Sequence, residues 1–352
     1  MKSFGLWYEK DPGGSEVDPV YSLHVNFWSL EDIKTTGNVK EPYLDVGIKI
    51  ENYKSLKKLV FYCPFKLGKD CIQDLSEKFS KKSNANIVFN EDCEIETKDN
   101  YTIIQRTTQD KLLVFPLFTV INNVCKVEEV PDSEGTKIII GFDKFHDYVK
   151  EVDKLKDITT IYIRFRVKNL TLRDYIYFDS EPLNKSFESA FSGTRIIDFK
   201  VNEKRNIEDS VRTETIVNKE IWAVFKNIHF LAMLPSSYDL TSFCEEPMTC
   251  RELEPELWDD YLGTSIDFNK GHVLAYHWRK KVDKNSDISD FSCLVKVNYS
   301  KTKVKTILAY ALSVVALGMM GSIAATVMGE ACYGIIAAIV ILGCALALGN
   351  IK

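Results

Sequence analysis

The sequence predicts an α+β protein: a β-rich, sandwich-like cytosolic region over residues 1–303, followed by a C-terminal two-helix transmembrane hairpin over 304–352. Two observations predict this division. The first part alternates apolar and polar residues over many short segments, whereas the last part consists of two long apolar runs. Such alternation is typical of half-buried strands, and 20 Phe with 16 Tyr favour a β-rich core.

The hairpin prediction comes from two apolar runs, 306–328 and 331–349. Each is close to the ~20 residues that a helix needs to cross a bilayer. Glu330 is the only charged residue between Lys305 and Lys352. A buried hairpin in a soluble core would keep a polar stripe, so the runs predict two membrane-spanning helices joined by a short turn.

The flanking charges predict an orientation. Lys301, Lys303 and Lys305 precede the first run, and Lys352 follows the second. Because basic residues stay on the cytoplasmic side, we expect an inner-membrane protein with both termini cytoplasmic. The N-terminal residues lack the apolar core of a signal peptide. Nine scattered cysteines fit a reducing compartment.

Small residues recur at four-residue spacing in these runs, as in Gly318/Ser322. This spacing lets membrane helices approach closely, so we expect a homo-oligomer, with a tetramer as the working stoichiometry. Hydroxyl, small and charged residues could then line a pore. The candidate membrane or pore residues are Ser313, Gly318, Ser322, Thr326 and Glu330.

Residues 1–303 are predicted to be mainly strands. The predicted strands are 21–28, 44–52, 56–65, 86–89, 101–106, 111–121, 136–141, 158–168, 174–178, 194–202, 228–234, 271–281 and 291–299. Helical spacing predicts helices over 71–82, 142–155 and 211–226, with a strand at 221–226 as an alternative, and 244–263 is an acidic, helix-prone insert. Turn residues suggest a domain boundary near 131–136 as an alternative to a single domain.

The sequence contains no Gly-rich phosphate loop, nucleophile elbow or H-E-x-x-H motif. We therefore expect no enzyme and no cofactor, with a hydrolase built on dispersed carboxylates as the open alternative. Cys244, Cys250, His272 and His277 are weak zinc candidates. Their spacing is irregular, and the two histidines would point to opposite faces of a strand, so no metal site is predicted.

The stronger signal is electrostatic. In each of two predicted strands, 158–168 and 271–281, alternation puts several basic residues on one face, with aromatic residues nearby. Phosphates and stacked bases need such groups. The candidate ligand-binding residues are Tyr162, Arg164, Arg166, Lys168, His277, Trp278, Arg279 and Lys281. The alternative is a solvated sheet face or pairing with the acidic insert. A net charge of −5 argues against sequence-blind binding of long nucleic acid.

In layout and size the whole chain resembles the two-transmembrane effectors of bacterial anti-phage systems controlled by nucleotide signals, and it is similar in plan to the Hailong-type effector. No motif matches residue by residue. The resemblance implies an antiviral defence effector. Its cytosolic domain would bind a nucleotide or short single-stranded oligonucleotide, supplied by a partner nucleotidyltransferase, and gate an oligomeric ion channel or membrane-disrupting assembly. The alternative function is a membrane-anchored scaffold that recruits a cytosolic partner.

Overall fold

The structure, a computed structural model, describes residues 2–30, 42–98, 100–107, 111–118, 124–131, 133–168, 172–180, 192–243, 249–263, 272–282, 287–300 and 304–327. The strands are β1 Gly5–Lys10, β2 Val20–Trp28, β3 Tyr43–Glu51, β4 Leu56–Cys63, β5 Ile72–Asp74, β6 Cys93–Lys98, β7 Tyr101–Arg106, β8 Leu112–Val114, β9 Cys125–Glu129, β10 Thr136–Gly141, β11 Thr160–Lys168, β12 Tyr177–Ser180, β13 Ser192–Val201, β14 Ile221–Trp222, β15 Phe225–Pro235, β16 Tyr238–Phe243, β17 Thr249–Glu252, β18 Val273–Lys281 and β19 Phe291–Ser300. The helices are α1 Lys82–Phe89, α2 Asp143–Glu151, α3 Leu172–Tyr175, α4 Asp209–Val217, α5 Pro255–Leu262 and α6 Val304–Val327.

The chain divides into two compact units. Unit 1 comprises Met1–Tyr177, Ile197–Ser236 and Phe243–Val295, and unit 2 comprises Phe178–Ile196, Ser237–Ser242 and Lys296–Lys352. The turn between β9 and β10 lies inside unit 1, where it joins these paired strands. The Val130 N–H donates to the Gly135 carbonyl at 2.9 Å and closes this turn.

Unit 1 contains two sheets that pack as a sandwich. The smaller sheet has the order β14-β1-β4-β10-β9, and the larger has the order β17-β18-β15-β2-β3-β11-β8-β7-β6, with β5 also paired to β11. Aromatic rings fill the space between the sheets: Phe61 of β4 meets Phe165 of β11 at 5.5 Å, and Tyr8 of β1 meets Tyr21 of β2 at 5.5 Å. This contact buries one face of the larger sheet.

Helices α1 and α5 cover part of the opposite face of the larger sheet. Trp258 of α5 packs edge-on against Trp28 of β2, with ring centroids 5.3 Å apart. Phe89, the last residue of α1, packs against Tyr162 of β11 at 5.0 Å. The central strands of this sheet are therefore buried on both sides, and eight of the nine residues of β11 are buried.

Unit 2 contains parts of the four strands of a sheet with the order β12-β13-β19-β16. Arg195 anchors this part of the sheet: its Nε donates to Asp179 Oδ1 at 2.9 Å, and its guanidinium lies 4.3 Å from the centre of the Tyr299 ring. Tyr299 in turn stacks on Tyr238 at 5.3 Å.

The structure corrects the predicted transmembrane hairpin. A helix, α6, occupies the first predicted span, but no helix in the described part of the chain is both long and apolar enough to cross a membrane. The predictions of a membrane protein with transmembrane helices and of an inner-membrane location are therefore wrong. The second predicted span, 331–349, lies outside the described residues.

The predicted order of elements around residue 80 is also wrong. The spacing predicts a helix over 71–82 and a strand over 86–89, whereas the structure has strand β5, a 3₁₀ turn at Ser76–Ser80 and then helix α1. Ile72 of β5 pairs with Val167 of β11, and Phe79 is fully buried. Pairing with a central strand thus outweighs the local helical spacing. Asn90, in the left-handed conformation with φ 53°, ends α1.

Candidate anion-binding site

A line of register partners crosses five strands of the larger sheet. Arg164 pairs with Gly47, Gly47 with His24, His24 with His229, and His229 with Arg279. Residues paired across neighbouring strands project to the same face, and neighbouring strands lie ~4.8 Å apart. The topology therefore gathers two arginines and two histidines, from distant parts of the sequence, on the face opposite the sandwich.

Three imidazoles lie side by side on this face, and we call His24, His229 and His277 the histidine row. The His24 and His229 rings meet edge-on with centroids 5.0 Å apart. The His229 and His277 rings stack at 5.1 Å, and His229 Nδ1 lies 2.9 Å from His277 Nε2. A hydrogen bond between these nitrogens needs one donor and one acceptor, so at least one of the two rings is neutral. All three side chains are partly exposed.

The surroundings of the histidine row keep its imidazoles neutral. Burial lowers the pKa of His24 well below its usual value, and His229 and Arg164 add to this effect. Burial, followed by His277 and Arg279, lowers the pKa of His229 to about 4. Burial also lowers the pKa of His277, with Arg279 contributing. At neutral pH each ring therefore carries one N–H group and adds no positive charge, and the N–H of either His229 or His277 is used in the hydrogen bond between these two rings.

Next to the row lies a buried ion pair between Arg166 and Asp45. Arg166 Nε donates to Asp45 Oδ1 at 2.5 Å, and Arg166 Nη2 donates to Oδ2 at 3.0 Å. The side chains are 2% and 0% exposed, so the two-point contact is shielded from water. Burial alone would lower the pKa of Arg166, but the carboxylate outweighs this effect and raises it. The guanidinium also lies 4.2 Å from the centre of the Tyr43 ring.

Arg164, by contrast, is held by neutral groups. Its Nε donates to the Tyr261 hydroxyl at 2.6 Å, and its Nη1 donates to the Tyr162 hydroxyl at 2.8 Å. In the amide orientation that satisfies both groups, Asn26 Oδ1 accepts from Nη2 at 2.9 Å. The Tyr261 hydroxyl in turn donates a hydrogen bond to Asp45 Oδ2 at 2.9 Å. Two buried guanidinium groups thus share one carboxylate, which leaves this network with a net charge of +1 (two cations and one anion).

Gly47 makes the room that this network needs. A Cβ atom at this position would collide with the Tyr162 hydroxyl and come within 3.0 Å of Arg164 Nη1. The close approach of the Tyr162 hydroxyl to the β3 backbone therefore depends on the missing side chain.

Further basic residues surround the histidine row. Lys49 Nζ donates to Glu51 at 2.8 Å, and Arg106 forms a salt bridge with Glu91. Arg279 is exposed, and none of the carboxylates in the described ranges pairs with it. The open end of the row therefore presents a guanidinium group that is available to a ligand.

The structure places the eight predicted ligand-binding residues as follows. Tyr162, Arg164 and Arg166 do share one face, but they are buried in the network described above, and Lys168 is exposed at the end of β11. His277, Arg279 and Lys281 lie on that same face of the sheet. Trp278 lies on the other face, buried against Phe230 at 5.9 Å. Ligand binding by these residues stays a prediction.

Sequence reasoning missed His24, His229, Asp45 and Tyr261. The alternation of apolar and polar residues in β2 and β15 could have identified two of them, because it puts His24 and His229 on the face opposite the apolar residues of each strand. Of the predicted pore residues, Ser313, Gly318 and Ser322 lie on α6. Thr326 also falls within α6, its side chain outside the described part, and Glu330 lies outside the described residues.

Within the described ranges, no three histidine, cysteine or carboxylate side chains are placed to hold a metal ion together. His229 and His277 each use one ring nitrogen in the hydrogen bond between them, so that nitrogen is not available as a metal ligand. Comparison with known proteins gives no match, neither to a protein-family model nor to a curated protein.

Proposed function

We propose that unit 1 is a binding module for a small phosphate-bearing anion, and that the ligand lies along the histidine row. One observation carries the proposal: two buried guanidinium groups share a single carboxylate next to three neutral imidazoles. An uncompensated positive charge in a poorly solvated place is costly for the free protein. A bound anion would supply the missing negative charge.

The parts of the site have different roles in this proposal. Arg279 is exposed at the open end of the row, so its guanidinium can bind a phosphate directly, in the two-point geometry that arginine favours. His24, and whichever of His229 and His277 does not use its N–H in the bond between them, donate N–H groups to further phosphate oxygens. Arg164 is 1% exposed, and its Nε, Nη1 and Nη2 atoms each already donate to an oxygen of the protein, so it contributes its positive charge rather than a direct contact. The ligand class that fits is a nucleotide or short oligonucleotide, and its supply by a partner nucleotidyltransferase stays a prediction.

Isothermal titration calorimetry with pyrophosphate and ATP tests this proposal. We expect binding by the wild type and about ten-fold or greater weakening by Arg279→Gln, because a hydrogen bond to a charged group contributes ~1.5–3 kcal/mol. The matched control is Lys280→Gln, which removes the same charge from the neighbouring, exposed residue on the opposite face. Equal weakening by both variants would mean that only net charge attracts the anion.

The same titrations separate binding from catalysis. After incubation, the nucleotide is recovered and analysed by chromatography. Recovery of unchanged ATP supports a binding role. Conversion by the wild type that is lost in His229→Gln would replace the binding proposal with a catalytic one, since neutral imidazoles also serve as general bases.

A second candidate function, self-association, is favoured by helix α6. Its exposed large apolar residues are Ile307, Leu308, Leu312, Val314, Val315, Met319 and Met320. A Cβ atom built on Gly318 or Gly321 would meet nothing within 4 Å. Helix α6 therefore carries both large apolar side chains and open positions at glycines. These features suit pairing with α6 of a second copy, because the large side chains of one helix can pack into the open glycine positions of the other.

Analytical ultracentrifugation of the full chain tests self-association. We expect an oligomer that Gly318→Leu shifts toward the monomer, because the added side chain fills the gap. Val17→Leu is the control, since it enlarges another exposed residue, 57% exposed, far from α6 in sequence. An oligomer unchanged by Gly318→Leu, or a monomeric wild type, would exclude pairing through this helix.

A further inference from the structure

A cleft of about 880 Å³ opens in unit 1 and shares no residue with the histidine row. It lies among the segment before β1, the chain after β4, the turn between β9 and β10, and α3. Its volume is in the range of small-molecule sites, ~300–1,000 Å³. The residues that matter for its chemistry are Lys2, Phe65, Glu129, Glu134, Tyr175 and Glu208.

One wall of the cleft already holds an ammonium group, that of Lys2. Its Nζ donates to Glu208 Oε1 at 3.1 Å and to Glu134 Oε2 at 3.2 Å, and it lies 5.7 Å from the centre of the Tyr175 ring. Tyr175 also donates its hydroxyl proton to Glu134 at 2.8 Å. Burial alone would lower the pKa of Lys2, but the hydrogen bonds that its ammonium donates to Glu208 and Glu134 outweigh this effect and raise the pKa. Carboxylates and an aromatic face are the groups that recognise a primary ammonium.

The rest of the cleft also presents a carboxylate and aromatic rings, and no described ammonium group of the protein pairs with that carboxylate. Glu129 lines it at the end of β9 and is exposed, and none of the described cations pairs with this carboxylate. The Phe65 and Tyr175 rings, 5.1 Å apart, form an apolar wall. Lys66 also lines the cleft, so the lining has three carboxylates and two ammonium groups, a net charge of −1 (two minus three).

We propose that this cleft binds a linear aliphatic polyamine. One ammonium group of the ligand pairs with Glu129, and its methylene chain lies against Phe65 and Tyr175. Lys2 occupies the second ammonium position and competes with the ligand for Glu134 and Glu208. The proposal is independent of phosphate binding at the histidine row, because the two sites use different residues and ligands of opposite charge.

Isothermal titration calorimetry of the full chain with spermidine tests the proposal. We expect binding by the wild type, about ten-fold weakening by Glu129→Gln, and tighter binding by Lys2→Met, because that change frees two carboxylates. The matched control is Glu128→Gln. Glu128 is exposed on the same strand and does not line the cleft, so it loses the same charge at a neighbouring place and should keep wild-type affinity.

Three results would overturn the proposal. Equal weakening by Glu129→Gln and Glu128→Gln would show that spermidine responds to net charge alone. Displacement of spermidine by an equal concentration of Mg²⁺ would show a site for any cation. Absence of spermidine binding in both the wild type and Lys2→Met would show that the cleft has no polyamine site.

Discussion

The two faces of strand β11 differ in chemistry although both are buried. Ile161, Ile163, Phe165 and Val167 pair with the apolar residues of β3 and turn toward the smaller sheet, whereas Tyr162, Arg164 and Arg166 turn toward α1 and α5. The apolar face is stabilised by area removed from water. The polar face depends on hydrogen bonds that compensate for lost hydration. The comparison shows that alternation along a strand identifies its faces without identifying which face meets solvent.

The largest expected effect on the polar face comes from removing the Asp45 carboxylate, which pairs with Arg166. We expect Asp45→Asn to lower the free energy of unfolding by ~3–5 kcal/mol, since it leaves two buried guanidinium groups without a counter-ion. Urea unfolding followed by circular dichroism measures this change. Glu96→Gln, which breaks the exposed pair with Lys154, should leave the stability almost unchanged. Similar losses in the two variants would mean that the Arg166–Asp45 pair is not shielded from water.

A smaller effect is expected from filling the gap at Gly47. We expect Gly47→Ala to destabilise the protein by ~1–3 kcal/mol, because the added methyl group displaces the Tyr162 hydroxyl and the Arg164 side chain. Tyr162→Phe in the same chain should recover part of the loss. Gly141→Ala is the control, since its Cβ atom would meet only the Val124 carbonyl, at an ordinary 3.8 Å. Equal melting temperatures for the two alanine variants would contradict the tight fit at Gly47.

The polar face should also make stability depend on pH. The folded-state pKa of His229, about 4, lies below the unfolded value of ~6.5, so the unfolded chain takes up protons first as the pH falls. The stability that neutral His229 contributes is therefore fully present above pH ~6.5. It is lost as the pH falls toward the folded-state pKa of about 4. We expect His229→Gln to reduce the stability lost between pH 7 and pH 5 by on the order of 1–2 kcal/mol. The control is His272→Gln, at an exposed histidine paired with Glu252. If stability depends on pH identically in the wild type, His229→Gln and His272→Gln, burial of His229 does not make stability depend on pH.

The smallest effect is expected on the apolar face. We expect Ile163→Val to cost ~0.5–1.5 kcal/mol through the lost methylene group. The cost should be the same at pH 5 and pH 7, because no titrating group lies among the apolar partners of this face in β3. Urea unfolding at both pH values measures it. A cost that changes with pH as much as that of His229→Gln would remove the distinction between the two faces.

Local patterns in the sequence predicted part of this site. Alternation correctly put Tyr162, Arg164 and Arg166 on one face, and His277 with Arg279 on one face. Alternation could not predict that β11 and β18 belong to the same sheet. That arrangement depends on pairings such as β2 with β15, two strands that are far apart in the chain. It also could not show that α5 closes over Arg164 through Tyr261.

The errors have a similar origin. An apolar run indicated a helix near 306–328, and the structure has α6 there. Apolar character alone did not establish that this helix crosses a membrane, and the described helices do not meet that requirement. At 71–82, the pairing of β5 with β11 decided the structure, and no local spacing encodes that pairing.

The most direct test of the central claim is an NMR titration of histidine-labelled protein with pyrophosphate. The chain has five histidines, three in the row and two elsewhere: His146, next to the Leu56 carbonyl, and the exposed His272. We predict that the ring signals of His24, His229 and His277 shift together with one saturating curve, while those of His146 and His272 stay unchanged. Shifts confined to His272, or equal shifts at all five, would contradict anion binding at the row.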